Sequence, residues 1–184
     1  TGLGVTEFML RYMAWLCFTH KHMGQMCIVT GPRIELAITL IDRMKDLFRS
    51  QNQYSHSALR SISFDTKETV IELNGVHIEA YPSHHLDAMR GLTDIGFIFL
   101  DECDFFHPGQ QQDARDVSER YIGKSNPHIV MVSTPNAPEG LFERIEKEPE
   151  DVCLYKRLFL DYTYGLNRIY TVAEIDAAKA SPSF

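Results

Sequence analysis

Four consecutive apolar residues, Phe97-Ile98-Phe99-Leu100, run directly into the acidic pair Asp101-Glu102. An apolar run of this kind reads as a strand buried on both faces, and in open α/β sheets ligands gather at the C-terminal ends of such strands. Two carboxylates at that end have complementary chemistry. Asp101 can hold a hydrated Mg2+, an ion that prefers oxygen ligands and shares them with phosphate. Glu102 can orient or deprotonate an attacking water. Alone, the pattern is met equally well by a strand end capped with two solvated acids.

Two further clusters stand in a meaningful order around it. Thr1-Gly2-Leu3-Gly4-Val5-Thr6-Glu7 leads into a helix, as a phosphate-binding loop does. Glycines let backbone N–H groups approach phosphate, and a helix N-terminus favours the anion. Gly2, Leu3, Gly4, Val5, Thr6 and Glu7 are therefore the candidate nucleotide-binding residues, with the Thr6 hydroxyl where a Mg2+ ligand belongs. Val5 occupies the lysine position of the GxxxxGK(S/T) pattern, so the basic residue is missing from its usual place. A glycine turn with threonine as N-cap is the competing structural reading. After the next apolar run, 129–132, comes Ser133-Thr134-Pro135-Asn136, a polar cluster able to sense the terminal phosphate or the water. As an isolated motif it is only a strand-to-loop transition.

The elements that must position these groups are legible in the hydrophobic pattern. Residues 7–19 are apolar all round (Phe8, Met9, Leu10, Tyr12, Met13, Trp15, Leu16), which predicts a helix buried beside a sheet. Residues 26–30 form a short apolar strand stopped by Gly31-Pro32. Ile34, Ile38, Ile41 and Phe48 recur at helical spacing, and residues 50–57 read as a polar loop. Two alternating runs flank Asn74-Gly75, a dipeptide suited to the positive φ angles of a type I′ hairpin turn. Helices are predicted over 111–122, 141–147 and 172–180, and a strand over 152–160. Strands separated by helices imply a mainly parallel sheet covered on both faces, with no internal repeat.

Composition narrows the class. The chain has 184 residues, 44% hydrophobic and 23% charged, which is enough for one domain with a substantial core. Twenty-five acidic against 18 basic side chains give a formal charge of −7, which excludes a uniformly basic surface but not a local stripe for nucleic acid. Cys17, Cys27, Cys103 and Cys153 form no CxxC pair, so neither a zinc ribbon nor a redox dithiol is indicated. No apolar run is long enough to cross a membrane. The start on Thr1, without methionine or basic leader, reads as an internal segment of something longer.

Taken together, TGLGVTEF, IVTGPR, AMRGLTDIGFIFLDECDFF and VSTPNAPEGLF resemble the ATPase domain of the large terminase subunit, the motor that packages DNA into tailed-virus capsids. The resemblance covers most of the chain. It implies a RecA-like three-layer α/β fold of the P-loop NTPase class, with ATP and Mg2+ as cofactors. Thr6 and Asp101 would manage the metal and Glu102 the water. Ser133, Thr134 and Asn136 would form the coupling motif that links hydrolysis to movement on DNA. In this family the basic residue of the loop sometimes moves to its front, which here lies upstream of Thr1. Residues 1–165 would be the ATPase domain, truncated at its N-terminus. Residues 166–184, including EIDAAKASPSF, would begin the linker toward a nuclease domain that the chain does not hold. Implied partners are double-stranded DNA, a portal, a small terminase subunit and further copies in a ring, in the host cytoplasm at the procapsid vertex.

Arg90 lies shortly before the Asp-Glu strand, where a terminase arginine could reach ATP, including ATP on a neighbouring subunit. An ordinary surface arginine paired with Asp87 or Asp94 is an equal reading. Asp101-Glu102-Cys103-Asp104 also suits a superfamily 2 helicase-like ATPase, and Val5 suits a non-catalytic nucleotide-binding module; both stay open. His20, His22, His84 and His85 lack metal-ligand spacing and read as solvated. Arg33, Arg43, Lys45 and Arg49, interleaved with Asp42 and Asp46, read as a solvated helix face.

Overall fold

The structure, a computed structural model, describes residues 2–20, 22–49, 62–63, 67–136 and 138–181. Thr1, the polar loop expected at 50–57 and the last three residues lie outside them. Helix α1 (Val5–Thr19) leads to strand β1 (Gln25–Thr30), then α2 (Ile34–Arg49), β2 (Ile62–Ser63), β3 (Val70–Leu73) and β4 (Val76–Pro82). A 3-10 segment (Ser83–Gly91) precedes β5 (Ile95–Asp101). After a 3-10 turn (Cys103–Phe105) come α3 (Pro108–Arg120), β6 (His128–Val132), α4 (Leu141–Lys147) and α5 (Val172–Lys179).

The six strands form one sheet in the order β2-β3-β4-β1-β5-β6. Its central four, β4-β1-β5-β6, are mutually parallel, while β2 and β3 add an antiparallel edge. Leu73 pairs with Val76 across Asn74 (φ 51°) and Gly75 (φ 77°), so the expected type I′ hairpin forms. The Asn74 amide also donates to the Cys17 carbonyl at 2.9 Å, tying the turn to the end of α1.

Two apolar layers sandwich the sheet. One packs α1 and α2 over Met26, Ile28, Ile78, Phe97 and Phe99. The other packs α3 and α4 over Cys27, Val29, Ile98 and Leu100. Residues 97–100 thus contribute to both layers, which explains why their run is apolar without alternation. Cys17, Cys27 and Cys103 are buried, as their apolar settings predict, and burial pushes the Cys17 and Cys27 thiols up to about 12.

Three expectations need correction. Helix α1 is not enclosed all round: Phe8 and Trp15 are 64% and 54% exposed. Among the described residues no layer covers the outer face, and Phe8, Tyr12 and Trp15 shield one another by stacking, with centroids 6.2 and 5.7 Å apart. On α2 the buried face is Ala37, Leu40, Ile41 and Met44 with Lys45, while Ile34 points outward and Arg43 pairs with α1. The run 152–160 forms no strand. Cys153, Tyr155 and Arg157 do turn inward at period two. They are held by side chains, not by a ladder: the Tyr155 hydroxyl donates to Glu119 at 2.8 Å and Arg157 donates to the Glu148 carbonyl. Val152, Leu154 and Leu158 are left on the outside.

Because Gly75 occupies the left-handed region, Gly75→Ala should cost about 1 kcal/mol. Urea unfolding of the two proteins checks this, and the slope of the transition should not change.

Candidate nucleotide and metal site

All four parallel strands end on the same side, with Thr30 beside Pro82 and Asp101 beside Val132 in the ladders. The residue after each partner of the last pair is Glu102 or Ser133, so register alone brings these two side by side. Asp101 is 6% exposed, and its Oδ1 accepts a hydrogen bond from Thr6 Oγ1 at 2.8 Å. Burial raises the Asp101 carboxyl to about 6, and the Glu102 charge adds to the rise. The Thr6 hydroxyl and the Arg43 charge pull it back.

Glu102 has left-handed backbone angles, φ 53° and ψ 40°. This conformation costs a non-glycine residue about 1–2 kcal/mol and turns the chain sharply out of β5 into the 3-10 turn. Ser133 Oγ lies 3.4 Å from Glu102 Oε2 and 3.1 Å from the Thr134 carbonyl. One hydroxyl proton serves two acceptors there, and the Glu102 contact is the weaker. Ser133 Oγ also accepts the Asp104 N–H at 3.2 Å, and the Asn136 N–H donates to Asp104 Oδ2 at 2.7 Å.

The glycine loop is built from Gly2 (φ 85°) and Gly4 (φ 75°). Gly4 is the N-cap of α1 and offers no side chain to the first-turn N–H groups, which no helical carbonyl can reach. Those donors can therefore face an anion. A Cβ on Gly2 would run into the Tyr170 hydroxyl, and one on Gly165 would meet Tyr170 and Leu3, so the chain after α4 closes over the loop. Val5 packs against the α1–α2 core as an apolar residue. The Glu7 side chain turns aside, with Oε1 2.8 Å from Arg11 and Oε2 3.0 Å from Arg43.

The donor set fits a magnesium–nucleotide pair in part. A buried carboxylate beside a threonine hydroxyl suits a hard divalent cation, and the uncapped helix start suits phosphate oxygens. Within residues 2–7 no side chain carries a positive charge, and Val5 stands at the usual lysine position. Among the described residues no group of three or more His, Cys, Asp or Glu side chains forms a separate metal site.

Thr6, Asp101, Glu102 and Ser133 are thus brought together, with Asn136 attached through Asp104. Arg90 is not among them. It pairs with Asp87 at 2.7 Å and lines a shallow cavity of about 100 Å³ with Val117, Arg120, Tyr121 and Lys124. Sequence reasoning missed Arg43, which it placed on a solvated face. Its partner Glu7 and its influence on Asp101 lie 36 and 58 residues away, beyond any helical spacing.

No family model and no curated protein matches the sequence. Solved structures do. The large terminase ATPase domain of Thermus phage P74-26 superposes with a TM-score of 0.55 at 14% identity, covering 76% of this chain and 59% of that one. An arginine-to-alanine variant of the same domain gives 0.52 at 12% identity over the same shares. The large terminase of a thermophilic bacteriophage gives 0.51 at 14% identity, over 73% of this chain and 32% of that one. The fold is therefore that of phage large terminase ATPase domains, a RecA-like sandwich, and the chain spans 59% or less of each matched length.

The raised Asp101 carboxyl sets a pH dependence with a definite sign. The folded protein holds this proton more tightly than the unfolded chain, so stability from this group is full below pH 4. It is lost as pH rises through about 6. Asp101→Asn should therefore stabilise the metal-free protein at pH 7.5, by on the order of 2–3 kcal/mol, and be neutral at pH 4. Thermal unfolding of both proteins at the two pH values tests this; equal shifts at both would refute it.

Proposed function

We propose that this chain is the ATP-hydrolysing motor domain of a large-terminase-type DNA-packaging machine. The observation that carries the reading is the meeting of Thr6, Asp101, Glu102 and Ser133 at one sheet edge, in a fold shared with terminase ATPase domains. The backbone of Gly2 to Glu7 receives the phosphates of ATP at the start of α1. Thr6 and Asp101 hold Mg2+, which supplies charge neutralisation to the phosphates. Glu102 orients a water and accepts its proton, a role that needs an acceptor at the open end of the strand. Ser133, Thr134 and Asn136 couple that event to double-stranded DNA.

In this reading Arg90, which within the chain pairs with Asp87, serves the site of a neighbouring copy in a ring. A portal and a small terminase subunit complete the assembly, working in the host cytoplasm at the procapsid vertex. Among the described residues no helix is long and apolar enough to cross a membrane. Val5 favours one rival, a module that binds nucleotide without turning it over.

Glu102→Gln should lower ATP turnover at least about 100-fold while leaving nucleotide binding within a few-fold. Steady-state phosphate release and a fluorescent-nucleotide titration measure the two. Binding without turnover in the wild type would favour the rival.

Arg90→Ala should leave binding by the monomer intact and reduce turnover of the DNA-bound assembly by about 10³-fold. Unchanged turnover in the assembly would remove Arg90 from the mechanism.

A further inference from the structure

Asp104 is 1% exposed, yet what matches its carboxylate is backbone, not a cation. Its Oδ2 accepts the Asn136 N–H at 2.7 Å and its Oδ1 accepts the Phe142 N–H at 3.1 Å. Gln111, on the first turn of α3, works beside it. Gln111 Oε1 accepts the Leu141 N–H at 2.9 Å, while its amide donates to the carbonyls of Asp104 at 2.8 Å and Phe106 at 3.1 Å.

Two buried side chains that follow Glu102 in sequence therefore hold the backbone of the segment that follows Ser133. Leu141 and Phe142 open α4, whose N-cap Gly140 has no side chain to satisfy them. Burying a carboxylate is costly unless donors meet it, and N–H groups given to an ionised acceptor make strong, directional bonds. The loop between β6 and α4 is consequently fixed at both ends to the turn that carries Glu102. Asp104 N–H on Ser133 Oγ closes the circuit at 3.2 Å.

We propose that Asp104, supported by Gln111, is a positioning residue that holds the 133–142 loop in register with Glu102 and transmits movement of that turn to α4. The inference rests on the ATPase reading for its consequence, but not for the link itself. Both Asp104 carboxylate oxygens are engaged by backbone N–H groups, so it acts through Ser133, Asn136 and Phe142. A loop merely packed in place would let Glu102 shift without moving α4. A loop bonded at Asn136 and Phe142 to one carboxylate must follow it.

The test is Asp104→Asn, which keeps the shape but offers one acceptor oxygen where two are used. Amide hydrogen exchange at Asn136 and Phe142 should quicken by about tenfold or more, while Val29 and Phe99 in the central strands keep their protection. At saturating ATP, kcat should fall about tenfold with KM changed less than twofold. Gln111→Ala should loosen Leu141 in the same way and serves if the first variant does not fold. Unchanged exchange at Asn136 and Phe142, or a loosened loop with wild-type kcat, would overturn the proposal. A wild type without turnover, in which the substitution still loosens these amides, would support the link and overturn the ATPase reading instead.

Discussion

The site depends on one hydrogen bond, from Thr6 Oγ1 to Asp101 Oδ1, which joins residues 95 positions apart. It fixes the first turn of α1 against the end of β5, and with it the glycine loop that precedes the turn. The bond is strong enough to orient but not to neutralise. Asp101 is buried, its partner is an uncharged hydroxyl, and its carboxyl stays raised even with Arg43 nearby. A carboxylate desolvated to this degree binds a proton or a cation more readily than one in water. The sheet thus holds this carboxylate at an energetic disadvantage that a divalent ion would relieve.

The parallel ladder does the remaining placement with little help from side chains. Asp101 beside Val132 makes Glu102 and Ser133 the first residues past the edge on adjacent strands. From there the two chains diverge, since Glu102 takes left-handed angles and turns into the 3-10 segment. Regular structure ends at this point, so each further contact must be made explicitly. Asp104 and Gln111 make them, with hydrogen bonds to backbone and not with apolar packing. Directional bonds hold a loop in one arrangement where packing alone would leave several of similar energy.

How much of this was legible in sequence follows from the range of each signal. Local period and composition found the buried strand at 97–100, the Asn74-Gly75 hairpin and most helices, because those features are set by neighbours a few residues away. The same rules placed Thr6, Asp101 and Ser133 at element ends, where α/β sheets collect ligands. They failed where tertiary surroundings decide. Residues 152–160 have a strand's alternation, but α3 and α4 offer them side-chain anchors and no ladder. The aromatic residues of α1 signal burial by type, yet among the described residues nothing covers the outer face of the helix. Arg43 looked like one charge among several on α2, and only the packing of α2 on α1 brings it to Glu7. Asp104 enters the sequence pattern only as the last residue of a helicase-like Asp-Glu-x-Asp run, while its partners, Asn136 and Phe142, lie more than thirty residues on.

Charge decides what the site still needs. Asp101, Glu102 and Asp104 cluster at the strand end, and Val5 stands at the loop's usual lysine position. Arg43 is the nearby cation that acts on Asp101, but Glu7 already engages it at 3.0 Å. Two like charges about 4 Å apart repel by about 4 kcal/mol at an effective dielectric of 20, so a phosphate brought here alone would be opposed. Backbone N–H groups at a helix start contribute partial charge only, worth about 0.3–1 kcal/mol at an exposed end. The balance must come from full positive charge beyond that of residues 2–7, a divalent cation delivered with the ligand included. A divalent cation arriving with a phosphate ligand would supply such charge beside Asp101 and Thr6.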